Sequence, residues 1–223
     1  MILPKEQYLQ GTAKNLSELY DQLAAKPRLK LDDFDPSSTA LVIVDMINGF
    51  VKEGPLSSEN ALKIVPQITE FLKTCSARGF SCLFFADRHT EKSPEFGAYP
   101  VHCLAGTEQC EPVSEIAEAG GYRLIYKNST NGCQEPEFQR WLEENGGVSN
   151  FLITGCCTDI CVLQFALSLK TEFNRRNRAS RIIVPMDLSA TYDAPGHIAD
   201  FIDLVSFYNM HTNGIEVTPE IEY

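Results

Sequence analysis

Short apolar runs alternate with amphipathic segments of helical spacing, and this alternation constrains the fold more than any other feature of the sequence. The runs are apolar almost throughout, as expected of parallel strands that are buried on both faces. Strands that alternate with helices predict an α/β fold: a parallel sheet of about six strands, right-handed crossovers and helices on both faces. The predicted strands are 39–45, 81–87, 123–127, 150–154, 181–187 and 214–217. The predicted helices between them are 59–77, 136–144, 159–177 and 195–208.

A polar stretch precedes the first predicted strand. At 223 residues the chain is long enough for one sizeable core, and one α/β domain fits this length better than two small ones. Within residues 1–37, four apolar residues are spaced as one face of a short helix that begins after Asn15 or Ser17. We therefore predict an N-terminal extension, 1–37, that packs on a single domain formed by 38–223.

The charge balance narrows the classes of partner. With a net charge of −11 the chain has no basic surface for nucleic acid or anionic lipid, so we expect neither as a partner. Its first residues lack the apolar core of a signal peptide, and no later run of about 18 apolar residues could span a bilayer. We expect a cytoplasmic protein, in which the eight cysteines stay reduced.

Reactive side chains follow several of the predicted strands. Asp45, Asp87 and Lys127 each end a strand, and a turn at Gly155 leads from the fourth strand towards Cys161. Parallel sheets bind their ligands beyond the carboxyl ends of the strands. We therefore expect these side chains to converge on one edge of the sheet.

Cys161 is the candidate nucleophile. It is predicted to lie in the first turn of a helix, where the dipole favours negative charge and lowers the pKa of a thiol. A lone free cysteine is more often an inert core residue. Asp45 and Lys127, which are expected at the same edge of the sheet, favour a catalytic role for Cys161. The carboxylate can take the thiol proton, while the ammonium stabilises the thiolate or holds the carboxylate.

A second candidate site lies in the long irregular stretch 88–112, which is typical of a functional loop. Asp87, His89, Glu95 and His102 offer two imidazoles and two carboxylates, a reasonable ligand set for a divalent metal with positions left open for water or substrate. A single loop histidine is more often solvated than ligating. Because this loop holds two of the four histidines of the chain, we favour a metal site.

Three parts of the chain resemble the signature segments of the isochorismatase-like cysteine hydrolases. They are Val-Asp-Met-Ile-Asn-Gly-Phe (44–50), Lys127 after its strand, and Gly-Cys-Cys-Thr-Asp-Ile-Cys-Val (155–162). The resemblance runs from about residue 39 to the end and implies a Rossmann-like three-layer sandwich. It further implies that Cys161 is the nucleophile, Asp45 its general base and Lys127 the third catalytic residue.

The same resemblance implies an oxyanion hole in the turn. The peptide bond between Cys156 and Cys157 would be cis, and the backbone amides of Cys157 and Cys161 would point at the developing oxyanion. Cys156 and Cys157 themselves are expected to pack the turn rather than to react.

The loop with Asp-x-His, Glu and Pro-x-His is similar to the metal loop of nicotinamidases, the branch of this superfamily that deamidates nicotinamide. This implies that zinc, or iron or manganese, binds the pyridine nitrogen and holds the carboxamide near the nucleophile. Phe50 and Tyr99 match positions of aromatic rings around the pyridine. The chain departs from the pattern at Glu95, where some relatives have histidine, and at Cys133, where many have an aromatic residue on the wall of the pocket.

The sequence thus predicts a metal-dependent nicotinamidase acting on a small amide, and relatives of this kind commonly form homo-oligomers. A metal-free hydrolase of another amide, a ureido or carbamoyl compound or isochorismate is the alternative, and a non-catalytic binding module is a third. His197 and His211, without acidic neighbours at ligand spacing, are expected to be structural. Cys103 and Cys110 are less favoured as ligands.

Overall fold

The structure, a computed structural model, describes residues 4–223, and a central sheet with helices on both faces dominates it. Its α-helices are α1 (Lys5–Ala24), α2 (Asn48–Val51), α3 (Glu59–Ala77), α4 (Ser114–Ala119), α5 (Pro136–Glu144), α6 (Leu163–Arg175) and α7 (Ala199–Thr212). Its strands are β1 (Leu29–Lys30), β2 (Thr39–Val44), β3 (Ser81–Asp87), β4 (Arg123–Lys127), β5 (Asn150–Cys156), β6 (Arg181–Pro185), β7 (Ser189–Ala190), β8 (Glu216–Thr218) and β9 (Ile221–Glu222).

The central sheet is parallel, with strand order β4-β3-β2-β5-β6-β8, and confirms the predicted three-layer α/β fold. It has seven strands rather than about six, because the short strand β7 pairs with the carboxyl end of β5. From β2 the chain moves outward through β3 and β4, then returns to the other side of β2 to form β5. The strand order therefore reverses between β2 and β5, which is where folds of this class bind ligands.

Successive side chains of the strands point to opposite faces, which divides the core into two layers. In β2, Leu41 and Ile43 pack with α3, whereas Val42 packs with α5 and α6. Phe71 from α3 and Phe165 from α6 are both fully buried, one in each layer. The continuous apolar runs of the sequence are thus explained by burial on both faces of the sheet.

Helix α1 is longer than predicted, because it begins at Lys5 rather than after Asn15 or Ser17. From Lys5 to Asn15 the sequence contains no proline and a single glycine, so nothing stops the helix from extending towards Pro4. In this helix Leu23 is the buried residue, and it joins the core layer that contains α7.

The segment after α1 is tied to the rest of the molecule. Strand β1 pairs in parallel with β9, and Leu31 and Phe34 are buried in the layer that contains α3. The family resemblance begins after this segment, whereas the core includes part of it. The boundary at residue 37 remains a proposal.

Helix α7 begins at Ala199, four residues later than predicted. The residues before it form a turn in which Ala194 and His197 exchange backbone hydrogen bonds. The Asp193 carboxylate then accepts a hydrogen bond from the amide of Ala199 and so satisfies a free N–H of the first turn. Among residues 4–223, no helix is both long and apolar enough to cross a membrane.

Candidate active site

The carboxyl ends of four strands meet where the strand order reverses. Asp45 follows β2, Asp87 ends β3, and Lys127 ends β4 directly beside Asp87 in the sheet register. On the other side of β2, Gly155 pairs with Val44. A Cβ atom at Gly155 would lie 2.0 Å from the Val44 carbonyl oxygen, so only glycine lets the two strands approach each other at this point.

A buried ammonium organises the first group of side chains. Lys127 Nζ lies 2.8 Å from Asp45 Oδ2, contacts Asp87 Oδ1, and is 3.6 Å from Cys161 Sγ. It also donates a hydrogen bond of 3.2 Å to the Ser129 carbonyl oxygen. Burial opposes the charge, but the two carboxylates raise the pKa of Lys127 well above its usual value. Lys127 is therefore held as an ammonium between two acids and a thiol.

The two acids have different electrostatic environments. Burial raises the pKa of Asp45 to about 7, although Lys127 opposes the shift. Burial also disfavours charge on Asp87, yet Lys127 and the neighbouring imidazoles of His102 and His89 lower its pKa below the usual value. Asp87 therefore stays ionised, whereas Asp45 can take and release a proton near neutral pH, as a general base must.

Cys161 lies in a π-helical turn, Thr158–Val162, that leads into α6. Its side chain is buried, and burial raises the pKa of the thiol well above its usual value even though Lys127 acts in the opposite direction. The prediction of a lowered thiol pKa was wrong, because desolvation, together with the nearby carboxylates, outweighs the effect of the Lys127 ammonium. The structure therefore holds a neutral thiol, whose proton must pass to a base before attack.

Asp45 lies close enough to Cys161 to accept this proton. Ligand atoms of Asp45, Asp87 and Cys161 all lie within 4.8 Å of one another. The carboxylate of Asp45 has a fixed orientation, since its Oδ1 accepts a hydrogen bond of 3.0 Å from the amide of Asp87. Asp45 itself has a φ of 55°, in the left-handed region that few non-glycine residues adopt, and such conformations cluster at functional sites.

The peptide bond between Cys156 and Cys157 is cis, as the resemblance implies. The thiol of Cys156 donates a hydrogen bond to the Asp45 carbonyl oxygen at 3.2 Å, so this side chain packs the strand ends together. Cys157 lines the neighbouring cleft. The use of the Cys157 and Cys161 amides as an oxyanion hole remains a proposal.

The second group of side chains lies on the far side of Asp87. Asp87 Oδ2 is 3.5 Å from His89 Nε2 and 3.7 Å from His102 Nε2, and His89 Nε2 is 3.9 Å from Glu95 Oε1. One ligand atom from each of these four residues lies within 4.8 Å of the others. Two ligands that bind one ion at about 2.1 Å and are not opposite each other lie roughly 3.0–3.5 Å apart, so these separations are close to those of residues that share an ion.

The hydrogen bonds of the two histidines also fit a metal. His102 Nδ1 is bonded to the Pro100 carbonyl oxygen at 2.8 Å, and His89 Nδ1 lies 3.3 Å from Asn128 Oδ1. This arrangement leaves Nε2 of each ring facing the carboxylates, as in histidines that bind metals. Within residues 4–223, His89 Nε2 and Glu95 Oε1 are buried without a hydrogen-bond partner. The four residues can therefore hold a divalent metal.

A cleft of about 430 Å³ opens onto both groups and is lined mainly by apolar side chains. Phe50 and Tyr99, the two predicted aromatic residues, both line it. Sequence reasoning missed four others, which come from separate parts of the chain: Leu56, Thr130, Ile160 and Tyr192. Thr130 and Tyr192 follow the carboxyl ends of β4 and β7, a signal that could have identified them.

Several other cysteines and histidines lie away from this cleft. Cys133, expected on the wall of the pocket, is instead buried in the core layer of α5 and α6 and does not line the cleft. Cys103 and Cys110 are buried beside each other, with the Cys110 thiol donating to the Cys103 carbonyl oxygen, and neither joins the metal-ligand group. His211 contacts Lys26, 3.0 Å from its Nζ.

His197 differs from expectation, because the fold gives it an acidic neighbour that the sequence does not. Its Nε2 lies 3.0 Å from Oδ2 of Asp159, a residue of the same turn as Cys161. The two residues are 38 positions apart, so no local spacing indicated the pair.

Comparison with known proteins identifies the family to which most of the chain belongs. Nicotinamidase 1 of Arabidopsis thaliana is 29% identical over 212 residues, covering 83% of this chain and 84% of that protein. The solved structure of N-carbamoylsarcosine amidase from Thermoplasma acidophilum is 27% identical, with a TM-score of 0.66 over 81% of this chain and 95% of that one. Pyrazinamidase of Pyrococcus horikoshii, solved in complex with zinc, shares the fold at 22% identity and a TM-score of 0.67, over 83% and 99% of the two chains. The isochorismatase domain model matches residues 39–213, most of the chain, and the protein belongs to the isochorismatase family of hydrolases.

Proposed function

We propose that the protein is a nicotinamidase, which hydrolyses nicotinamide to nicotinate and ammonia for pyridine-nucleotide salvage. The observation that carries the proposal is the position of Asp87, which contacts Lys127 of the thiol group on one side and faces His89 and His102 of the metal-ligand group on the other. A pyridine ring that carries a carboxamide could then be held by both groups within one apolar cleft, with its ring nitrogen on the metal-ligand side and its amide carbon on the thiol side.

The metal would be held by Asp87, His89, Glu95 and His102, with zinc, iron and manganese as the candidates. When bound, it supplies a Lewis acid that can hold a ring nitrogen while leaving positions open for water. Phe50 and Tyr99 would contact the faces of a flat heteroaromatic ring.

In the first half of the reaction, Asp45 takes the proton of the Cys161 thiol and the sulfur forms a bond to the amide carbon. The carbonyl electron pair moves onto oxygen, where the amides of Cys157 and Cys161 would stabilise the charge. As the carbonyl re-forms, the carbon–nitrogen bond breaks and Asp45 returns its proton to the leaving ammonia. Lys127 keeps its proton throughout and balances the charge of Asp45 and Asp87.

In the second half, water attacks the thioester and Asp45 takes a proton from it. The carbon–sulfur bond breaks and the thiolate recovers the proton held by Asp45, which restores the neutral Cys161 thiol. Nicotinic acid leaves and ionises to nicotinate, and its proton passes to ammonia or solvent. A base whose pKa is about 7 can act in both directions at neutral pH.

The decisive experiment measures ammonia release from nicotinamide, benzamide and N-carbamoylsarcosine, with and without a chelator. Benzamide has the shape of nicotinamide but lacks the ring nitrogen. We expect nicotinamide to react at least 100-fold faster than benzamide, and a chelator to remove this advantage. Restoring zinc, iron or manganese separately would then identify the metal.

The similarity to N-carbamoylsarcosine amidase makes a metal-independent carbamoyl hydrolase the second candidate. Fastest turnover of the carbamoyl substrate by chelator-treated protein would favour that candidate and contradict the nicotinamidase proposal. Turnover of isochorismate would also contradict the nicotinamidase proposal, and it would favour an isochorismate hydrolase instead.

A further inference from the structure

One wall of the cleft is a tyrosine ring with a histidine stacked behind it. Tyr192 lines the cleft together with Cys161. The rings of Tyr192 and His197 lie face to face, with centroids 4.0 Å apart and an angle of 2° between their planes. Neither residue takes part in the proposed chemistry, yet together they fix a surface beside the nucleophile.

The histidine ring is held at both nitrogens. His197 Nδ1 lies 2.8 Å from the Tyr192 carbonyl oxygen, and Nε2 lies 3.0 Å from Asp159 Oδ2. Burial alone would disfavour the charged ring, but Asp159 raises the pKa of His197, and a cationic imidazole is attracted to the face of a phenol ring. The plane of His197 therefore has little freedom to turn.

The loop that bears Tyr192 is braced from three directions. The second oxygen of Asp159 accepts a hydrogen bond from the Thr191 hydroxyl, which ties the loop to the turn of the nucleophile. The side-chain amide of Asn60, from α3, donates to the Thr191 carbonyl oxygen at 3.2 Å and to Asp193 Oδ2 at 2.9 Å. The Asp193 carboxylate also accepts a hydrogen bond from the backbone amide of Ala199, at the start of α7.

The stacking and these hydrogen bonds have one common result, a fixed position of the Tyr192 ring. A ring that cannot turn aside limits the width of the cleft beside Cys161. A flat aromatic amide would fit, and a bulkier one would meet the tyrosine.

We propose that Tyr192 is a specificity-determining residue that limits the size of ring substituents admitted to the cleft, and that His197 is a positioning residue acting through Tyr192. The discrimination among amide substrates rests on the proposed function, because it assumes an aromatic amide. The steric limit on access to the Cys161 thiol does not depend on that function and can be tested without any amide.

The first experiment compares kinetics on nicotinamide and on 5-phenylnicotinamide. In Tyr192→Ala we expect KM for nicotinamide to rise roughly three- to tenfold, the loss of one aromatic contact, with little change in kcat. Discrimination against the phenyl derivative should fall by at least tenfold. His197→Ala should also raise KM for nicotinamide and weaken discrimination against the phenyl derivative, but by less. His197→Phe, which keeps a stacking ring, should bring both values part of the way back to those of the wild-type protein. General destabilisation would give neither this division between KM and kcat nor the rescue.

The second experiment measures alkylation of Cys161 by N-methylmaleimide and by N-phenylmaleimide, located by mass spectrometry. We expect Tyr192→Ala to raise the rate with the phenyl reagent at least fivefold relative to the methyl reagent, and His197→Ala to raise it by less. Tyr20→Ala and His211→Ala, which lie outside the cleft lining, serve as matched controls and should leave the ratio unchanged.

The two experiments separate the proposals. If the wild-type protein releases no ammonia from nicotinamide, while Tyr192→Ala still shifts the alkylation ratio, the nicotinamidase proposal is overturned and the role of Tyr192 is supported. Normal hydrolysis of nicotinamide, with an unchanged ratio and unchanged KM in folded Tyr192→Ala, would overturn the role of Tyr192 alone.

Discussion

The two groups of side chains on either side of Asp87 are built differently. The thiol group consists of Asp45, Lys127 and Cys161, which are fixed by strand ends and by one turn, and its ammonium lies between two carboxylates. The metal-ligand group takes three of its four members from the irregular loop after β3. There, buried nitrogen and oxygen atoms face one another without hydrogen-bond partners among the described residues.

This difference indicates in which group the buried polar atoms are compensated by side chains of the protein, without a bound ion. In the thiol group, Asp45 Oδ2 also has no hydrogen-bond partner among the described residues, but it lies 2.8 Å from the Lys127 ammonium. Opposite charges compensate each other there, so the burial of three polar side chains is tolerated. In the metal-ligand group, unpaired buried atoms are unfavourable unless a further group satisfies them, and a cation would do so. We therefore expect changes on the thiol side to affect chemistry and folding, and changes on the metal side to affect metal content first.

The largest effect is expected from Cys161→Ala. Removal of a nucleophile typically lowers turnover by 10⁴-fold or more, so ammonia release should fall to near background while metal content stays unchanged. Cys133→Ala is the matched control, since Cys133 is also buried, and burial raises the pKa of its thiol to about 12, but it does not line the cleft. Substantial turnover by a folded Cys161→Ala protein would contradict the assignment of the nucleophile.

Lys127→Met should have the next largest effect, measured as the free energy of unfolding in urea. It leaves Asp45 and Asp87 buried without their shared counter-ion, and breaking a buried pair in this way costs about 3–5 kcal/mol. Lys52→Met is the control, because Lys52 pairs with Glu115 at the half-exposed surface and should cost less than about 1 kcal/mol. Equal losses for both variants would show that the buried charges are not coupled as described.

His102→Ala tests the metal side alone. We expect the affinity for zinc, measured by titration of chelator-treated protein, to fall by about 100-fold or more, since loss of a direct ligand should exceed the effect of losing an outer partner. Alkylation of Cys161 by N-methylmaleimide should continue, because the contact between Lys127 and Asp87 is kept. Unchanged zinc affinity would remove His102 from the ligand set.

The pH dependence tests the division of roles between the two acids. Asp45 acts as a base only when ionised, and burial raises its pKa to about 7, so kcat/KM should fall about tenfold per pH unit below pH 7. The pKa of Asp87 is lowered, so it should add no further step at mildly acidic pH. Metal content is measured at each pH as a control, and a flat profile from pH 5 to 8 at constant metal content would exclude Asp45 as the base.

Glu95→Gln should have the smallest effect. The Glu95 side chain is partly exposed, and its Oε1 is the most distant of the measured neighbours, 3.9 Å from His89 Nε2. We expect zinc affinity to fall by less than in His102→Ala, roughly tenfold, which is about 1.4 kcal/mol. A loss as large as that of His102→Ala would make Glu95 an equal ligand.

The sequence predicted that Asp45, Lys127 and Cys161 lie together, because carboxyl ends of parallel strands must share one edge of the sheet. Asp45, Asp87 and Lys127 could therefore be placed together without knowledge of any side-chain contact. The chemical types of His89 and His102 indicated a metal site, although nothing in the spacing fixed their separation. The family match supports the fold and the class of enzyme.

Other features depend on contacts that local spacing does not encode. The raised pKa of Cys161 follows from burial by distant segments, which a position at the start of a helix cannot reveal. The pairing of Asp159 with His197 joins two loops after different strands. The start of α1 was missed for another reason. Between Lys5 and Asn15 the apolar periodicity is weak, although helix-forming residues continue through this stretch.

The reversal of strand order between β2 and β5 also has a consequence for folding. Thr39 and Asn150 are partners in adjacent strands although they are 111 residues apart in the chain. Contacts of such long range form slowly, because the loop between them must be closed before any of them can stabilise the structure. Asp45 and Cys161 lie at the two sides of this junction, so the nucleophile meets its base only after the central strands have paired. Activity regained during refolding should thus trail the formation of helices, and would serve as an indicator of the completed sheet.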